Sequence, residues 1–294
     1  MKSRKKQTKR KILHPKNKKY TKQKPLRSKH NRNTKKKFIT KKKQKSFRKT
    51  KKQRGGAKKY FPLAEPLHIA TKNDDADTIK SLLRERVQVN NPDEDQKIPL
   101  HYAVKKNNTE IVKLLLLEYS DVNKKDKDGR TPLHYAADAA EKNKNNTEIV
   151  KSLLENDRVP DVNIKDYFGK TPLYYAIVMG KIDIVKLLLD YGADVNIKNK
   201  HDKTPLDYAI KFNQIDIVEL LLDYGAHVNI KDKYDDQTPL HYAIKNNNTE
   251  IVELLLEKGA VADVNAIDKY GKTPLDYANN ETYNKIKNFI EERK

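Results

Sequence analysis

The stretch Asp166-Tyr167-Phe168-Gly169-Lys170-Thr171-Pro172-Leu173-Tyr174-Tyr175-Ala176 decides the fold, because each of its residue types has a definite local job. Asp opens a turn with its side-chain acceptor, Gly supplies a positive φ, Thr caps a helix, and Pro sits at the first helical position, where no amide donor is needed. A turn therefore runs directly into a helix. Seven Pro-Leu pairs carry this phrase along the chain, at Pro66, Pro99, Pro132, Pro172, Pro205, Pro239 and Pro274, spaced 33, 33, 40, 33, 34 and 35 residues apart. A fixed period near 33 residues describes one supersecondary unit copied and stacked.

A second helix follows within each unit. It is announced by Asn108-Thr109-Glu110 or Gly180-Lys181-Ile182-Asp183 and continues as Ile-Val-x-Leu-Leu-Leu from Ile184 to Leu189 and from Ile217 to Leu222. Its apolar positions cover more than one face, which suits a helix sandwiched between its own unit and both neighbours. Gly192, Gly225 and Gly259 are predicted to end helices as left-handed caps.

This pattern resembles the ankyrin repeat. The carriers are the Thr-Pro-Leu-His entry at Thr131 to His134 and Thr238 to His241, the paired helices, and the exit Gly192-Ala193-Asp194-Val195-Asn196, which recurs at Gly225 to Asn229 with His227 for Asp. The resemblance covers roughly residues 61–291. It implies an all-α ankyrin-repeat solenoid of helix-turn-helix units with β-turn or hairpin fingers, the first helices lining a concave face. The array is expected over residues 61–294, in units beginning near 64, 97, 130, 170, 203, 237 and 272. The third unit is seven residues longer than the others. In it, the strongly helical Ala136-Ala137-Asp138-Ala139-Ala140-Glu141 predicts an extended first helix before a polar loop from Lys142 to Asn146. The last helix reads Lys287-Asn288-Phe289-Ile290 where others read Leu-Leu-Leu, as a solvent-facing terminal unit requires.

Charge divides the chain. Residues 1–60 contain 29 Lys or Arg and no Asp or Glu, whereas residues 61–294 contain 34 basic and 40 acidic residues, so +29 and −6 make the net +23. A dense like-charge run of low hydrophobicity buries too little apolar surface to offset the entropy of ordering, so the tail is expected to be disordered in isolation. Its clusters Lys35, Lys36 and Lys37, Lys41, Lys42 and Lys43, and Lys51 and Lys52 suit nuclear import, a phosphate backbone or an anionic lipid surface, and charge alone leaves these open. Its aromatics are sparse, and any nucleic-acid binding is expected to be sequence-independent and salt-sensitive. Arg54-Gly55-Gly56-Ala57 reads as a flexible hinge. A Gly-Gly-x site also resembles a processing signal of some large DNA viruses. No apolar stretch reaches the length of a membrane span and no apolar core follows the basic N-terminus, so the expectation is a cytoplasmic or nuclear protein without a secretory signal. The absence of cysteine rules out disulfides and thiolate chemistry.

The repeat absorbs most candidate chemistry. His68, His101, His134 and His241 share one slot in the first turn of a helix, where a neutral imidazole can bond backbone; Tyr174, Asp207 and Asp276 fill it elsewhere. The remaining His14, His30, His201 and His227 have no metal-binding spacing. No glycine is left for a phosphate loop, and the repeated carboxylates are spread along the stack instead of converging as an acid and base pair. The expectation is therefore no enzyme, no metal and no cofactor. Tyr102, Tyr135, Tyr175, Tyr208, Tyr242 and Tyr277 recur before the repeating Ala, and are expected to pack between first helices with their hydroxyls reaching solvent.

What varies points to binding. Two positions after the repeating Ala lie where ankyrin arrays tend to contact partners, and they hold Val178 and Met179, Lys211 and Phe212, and Lys245. Finger tips hold Tyr167, Phe168, Lys200, His201, Tyr234 and Tyr270. Aromatic and Met side chains amid charge are the makings of an interface hot spot. The expected function is a non-catalytic scaffold that binds an unidentified protein, with the tail adding localisation or a polyanion contact; the alternative is a nucleic-acid-associated or packaging protein acting through the tail. The Lys-, Asn- and Ile-rich make-up looks like translation of an AT-rich genome, and ankyrin proteins of that character, from intracellular bacteria and giant viruses, act on host partners.

Overall fold

In most units Pro at the first helical position, Thr before it and a positive-φ residue a turn or two later leave room for only a short helix; Ile98 stands in place of Thr in the second unit, Pro66 lies inside its helix in the first, and Ala139 ends the third with a negative φ. The computed structural model of the chain describes residues 64–139, 146–158 and 160–292; the tail lysines, Gly55-Gly56 and residues 140–145 lie outside the described residues. The helices are α1 (Ala64–Lys72), α2 (Ala76–Arg84), α3 (Pro99–Lys105), α4 (Thr109–Leu117), α5 (Pro132–Asp138), α6 (Asn146–Leu154), α7 (Pro172–Val178), α8 (Ile182–Asp190), α9 (Pro205–Lys211), α10 (Ile215–Asp223), α11 (Pro239–Lys245), α12 (Thr249–Glu257) and α13 (Asn280–Glu291). Short 3₁₀ turns cover Ala260–Asn265 and Pro274–Tyr277, so the last unit's first helix shrinks to a single turn.

From α3 to α11 the first helix of a pair has seven residues. It starts behind an extended cap, Thr131 for example having φ −95 and ψ 167. It stops where Asn107, Gly180, Asn213 or Asn247 takes a positive φ, and the second helix begins two residues later. Asn108 and Asn248 cap those second helices by accepting from the Ile111 and Ile251 amides.

Two helices then share one core. Leu173, Ala176 and Ile177 of α7 and Ile184, Val185, Leu188 and Leu189 of α8 are buried, and the same positions are buried one unit on, at Leu206, Ala209 and Ile210 and at Ile217, Val218, Leu221 and Leu222. Each buried aliphatic side chain contributes about 1.5–3 kcal/mol, and the small Ala lets successive first helices approach closely. The core runs unbroken from Leu67 to Ile286.

Polar staples tie units together along the edges. Asn163 Oδ1 accepts from the Asp194 amide at 2.8 Å while its Nδ2 donates to the Gly192 carbonyl at 3.2 Å. Asn196 repeats both bonds to His227 and Gly225, and Asn90 repeats them to Asp121 and Tyr119. The fingers are Asx turns in which the opening carboxylate accepts from the amides two and four residues on, Asp126 Oδ1 taking those of Asp128 and Arg130 and Asp166 Oδ1 those of Phe168 and Lys170. Neighbouring fingers meet through single backbone bonds, as where the Tyr167 amide donates to the Asp128 carbonyl at 2.9 Å. No strand forms among the described residues.

That finger contact explains Gly129, which has φ +78 and sits where a Cβ would lie 2.8 Å from Tyr167 Cδ1 and 2.9 Å from its amide nitrogen. Gly271 has φ +74 but open space around it. Gly271→Ala is therefore expected to cost only the left-handed backbone penalty of about 1–2 kcal/mol, and Gly129→Ala clearly more. Urea midpoints at unchanged m-value measure the difference; equal losses would show that finger approach imposes nothing.

The third unit corrects one expectation. α5 ends at Asp138 like every other seven-residue first helix, and Ala139 is already non-helical at φ −55 and ψ 110. Asp138 turns back to pair with Arg130 at 3.2 Å, and the Ala139 carbonyl takes the Lys181 ammonium. Helical propensity of the Ala run is overridden by the need to stack against α3 and α7. Asn146, expected in the loop, is instead the first residue of α6, where its Nδ2 donates to the Ala136 carbonyl at 2.7 Å.

Candidate functional site

The first turn of each first helix places one side chain at the junction with the next unit. His101, His134 and His241 fill it completely buried, Nδ1 accepting from the cap amide and Nε2 meeting a carbonyl of the following unit. Burial pushes the His134 imidazole down to about 4 and lowers His101 and His241 as well, so these rings are neutral at physiological pH. With both nitrogens engaged they are structural. Asp207 and Asp276 do part of the same job, each accepting from the amide and hydroxyl of its capping Thr.

The tyrosine stripe behaves differently from the expectation. Its rings do pack between first helices, but the hydroxyls do not simply reach solvent: each donates to the carboxylate that opens its own finger, Tyr102 to Asp93, Tyr135 to Asp126, Tyr175 to Asp166, Tyr242 to Asp232 and Tyr277 to Asp268. The partner lies nine or ten residues upstream, at the far side of the turn. Burial, reinforced by the bond to Asp126, pushes the Tyr135 phenol far above its ordinary range. In the fifth unit Asn199 replaces the Asp and donates to Tyr208.

All the variable residues singled out above reach the surface. Tyr167, Phe168, Tyr234 and Tyr270 project from finger tips at 57%, 54%, 49% and 63% exposure, beside exposed Lys200 and His201. Met179 and Phe212, at the ends of α7 and α9, are exposed and Val178 half-buried, with Lys211 and Lys245 exposed alongside. They do not form one cluster. Lys245 lies over the Tyr277 ring at 4.1 Å and Tyr270 leans on Lys269, toward the C-terminal end. Phe212 instead joins a central group: it stacks on Tyr208 at 6.4 Å, which meets Tyr174 edge-on at 4.6 Å. Lys170, with Nζ 4.8 Å from the Tyr174 ring and 5.7 Å from the Phe168 ring, links that group to a finger tip.

Tyr174, Tyr208 and Lys170 are the members that sequence reasoning missed. Tyr174 occupies the His slot but does not enter the junction as His134 does; it stays half-buried at the surface. The signal was its departure from the repeat at that slot. Among the described residues no group of His, Asp or Glu stands close enough to hold a metal, and no helix is long and apolar enough to cross a membrane.

Known proteins place this architecture. A family profile described as "Ankyrin repeats (3 copies)" matches residues 67–157, 137–232 and 229–292. Among solved structures, the ankyrin repeat domain of Bcl-3, described as a unique member of the IkappaB protein family, is similar over 76% of this chain and 97% of that one, with 26% identity and a TM-score of 0.66. The comparison with curated proteins gives no match.

Proposed function

The chain belongs to the ankyrin-repeat family, and from that premise we propose that it is a non-catalytic scaffold binding another protein through its first-helix and finger surface. The observation that supports this most directly is the exposure of Met179, Phe212, Tyr167 and Phe168 on an otherwise charged surface. None of them serves the core, so replacing them leaves the stack intact. Residues whose removal weakens binding by about 2 kcal/mol or more are typically aromatic anchors of this kind. Immobilised full-length chain carrying Ser at all four positions is expected to lose partners captured by the wild-type chain, with an unchanged circular dichroism spectrum. Retention of the same partners would remove this surface from the function. The proposed setting is the cytoplasm or nucleus, with Lys35 to Lys37, Lys41 to Lys43, Lys51 and Lys52 adding localisation or a polyanion contact.

One observation favours a second reading, in which the chain associates with nucleic acid: 29 basic residues without a single acidic one in residues 1–60. Each phosphate neutralised contributes about −0.9 to the slope of log K against log salt. The full chain is then expected to bind duplex DNA with a steep salt slope that disappears in a chain starting at Ala57. Loss of duplex binding by the full chain at near-physiological salt would end this reading.

A further inference from the structure

The exchange of His for Tyr at residue 174 does more than remove a junction staple. A buried His at this slot, as at His134, keeps its ring out of reach of solvent, whereas Tyr174 lies across the junction against both Tyr175 and Tyr208. The result is an aromatic surface continuous from finger tip to helix end: Phe168 through Lys170 to Tyr174, then Tyr208 and Phe212, with Met179 one unit before Phe212 at the equivalent helix end. A shallow hollow beneath it is lined by Lys170, Tyr174, Asn199, Lys203 and Tyr208.

The charge around this surface is one-sided. Lys170 and Lys211 approach aromatic rings, Lys211 Nζ lying 5.9 Å from Phe212, and neither forms an ion pair with a carboxylate among the described residues. Lys245, at the corresponding helix end of the following unit, and Lys105 and Lys106, two units before Met179, are exposed and likewise without an ion pair among the described residues; the preceding unit carries Asp138 there, paired with Arg130. The nearby carboxylates are already engaged: Asp166 by Tyr175, Asp138 by Arg130, Asp202 by Lys198 and Asp232 by Tyr242 and Lys203. Along the finger row, exposed Asp128 and Asp236 stand on either side of the central units. A long phosphate backbone running along the fingers meets like charge at both, whereas a short acidic segment spanning the central units does not.

Building on the protein-binding reading, we propose that this patch takes an acidic segment of another protein, one apolar side chain seated on Met179, Phe212 and Tyr208 and flanking carboxylates on Lys170 and Lys211. The apolar anchor supplies the desolvated contact, and the lysines set orientation and on-rate. Cations already resting on aromatic faces are partly ordered, so holding a carboxylate there sacrifices less side-chain freedom than on a free surface lysine.

The test selects displayed random peptides on the immobilised full chain while an excess of soluble full chain carrying Met179→Ser and Phe212→Ser removes peptides that bind elsewhere, the basic tail included. The recovered peptides are expected to be net acidic with one aromatic or aliphatic residue. Synthetic copies are expected to lose about tenfold in affinity to the Ser variant and about threefold to Lys170→Ala, the loss to Lys170→Ala shrinking at high salt. Neutral or basic recovered peptides whose binding still needs the patch would overturn the acidic assignment while leaving the protein-binding reading in place. Recovery of no patch-dependent peptide would overturn it as well, and the capture experiment with four Ser substitutions then decides the broader reading separately. An oligothymidine whose affinity falls in the Ser variant would overturn it in favour of single-stranded nucleic acid.

Discussion

Leu188→Ala is expected to cost about 3–4 kcal/mol and to split the unfolding of the array, within the range of about 2–5 kcal/mol found for emptied aliphatic core sites. Leu188 is fully buried in α8, in the middle of the stack, where α6 and α10 press on either side. The space it leaves cannot close readily, because the flanking units are pinned by the Asn163 and Asn196 bonds across the adjoining loops. In a quasi-one-dimensional stack, stability is a sum of unit and nearest-neighbour terms, so a weak central unit uncouples the units on its two sides. Ile286→Ala empties an equally buried site in α13, the last helix among the described residues, and is expected to fray that end of the array without dividing the rest. Urea unfolding followed by circular dichroism and by tyrosine fluorescence distinguishes the two. For Leu188→Ala the probes should separate and the apparent m-value fall; coincident transitions with an unchanged m-value would show that the array unfolds as one block despite its linear connectivity.

The repeat was legible in the sequence because its devices are local. Pro at the helix start, positive-φ Gly and the apolar pattern of the second helix each act within a few residues, and together they locate the paired helices and the core Leu and Ala of the first helices from Leu100 to Ala243, whereas the positive φ of Asn107, Asn213 and Asn247 emerged only in the structure. The Tyr-to-Asp bonds were hidden for a different reason. Tyr135 and Asp126 are separated by a turn and a helix start, and only the folded finger brings the hydroxyl onto the carboxylate. The end of α5 was misjudged because the propensity of Ala136 to Glu141 is a local quantity, while the stopping point is set by Asp138 reaching Arg130 and by the equal length of neighbouring first helices. For the candidate surface, the exposed helix-end and finger residues could be found by subtracting what the repeat uses. Which of them touch could not, since that depends on Tyr174 lying across the surface instead of filling a slot that His elsewhere fills from within.

His134 is expected to make the array acid-sensitive in a window that opens above the carboxylate range. Its ring is fully buried and bonded through Nδ1 to the Thr131 amide and through Nε2 to the Lys170 carbonyl, and burial holds its pKa near about 4 against 6.5 for the free side chain. A depressed native pKa means that the unfolded chain binds the proton first. The stabilisation is therefore complete above the unfolded value of 6.5 and drains away as pH falls toward about 4. At about 1.4 kcal/mol per pKa unit, this amounts to about 3 kcal/mol over the whole window. His101 and His241, lowered in the same sense, add to it. Asp138 and Asp207, raised by burial, act with the opposite sign, because protonation is easier for them in the folded state. Asp93, Asp232 and Asp268, which accept several bonds and are lowered, lose their contribution only below the ordinary carboxylate pKa. The difference between wild type and His134→Ala removes these shared contributions. At neutral pH the variant should be less stable by about 2–4 kcal/mol, for lost packing and two lost backbone bonds. As pH is lowered to about 4.5 the gap should narrow by about 2 kcal/mol, because the wild type alone must then desolvate or expel a proton from that ring. A gap that stays constant from neutral pH to that point would mean that His134 carries its proton in the folded stack, with the junction remade around an imidazolium.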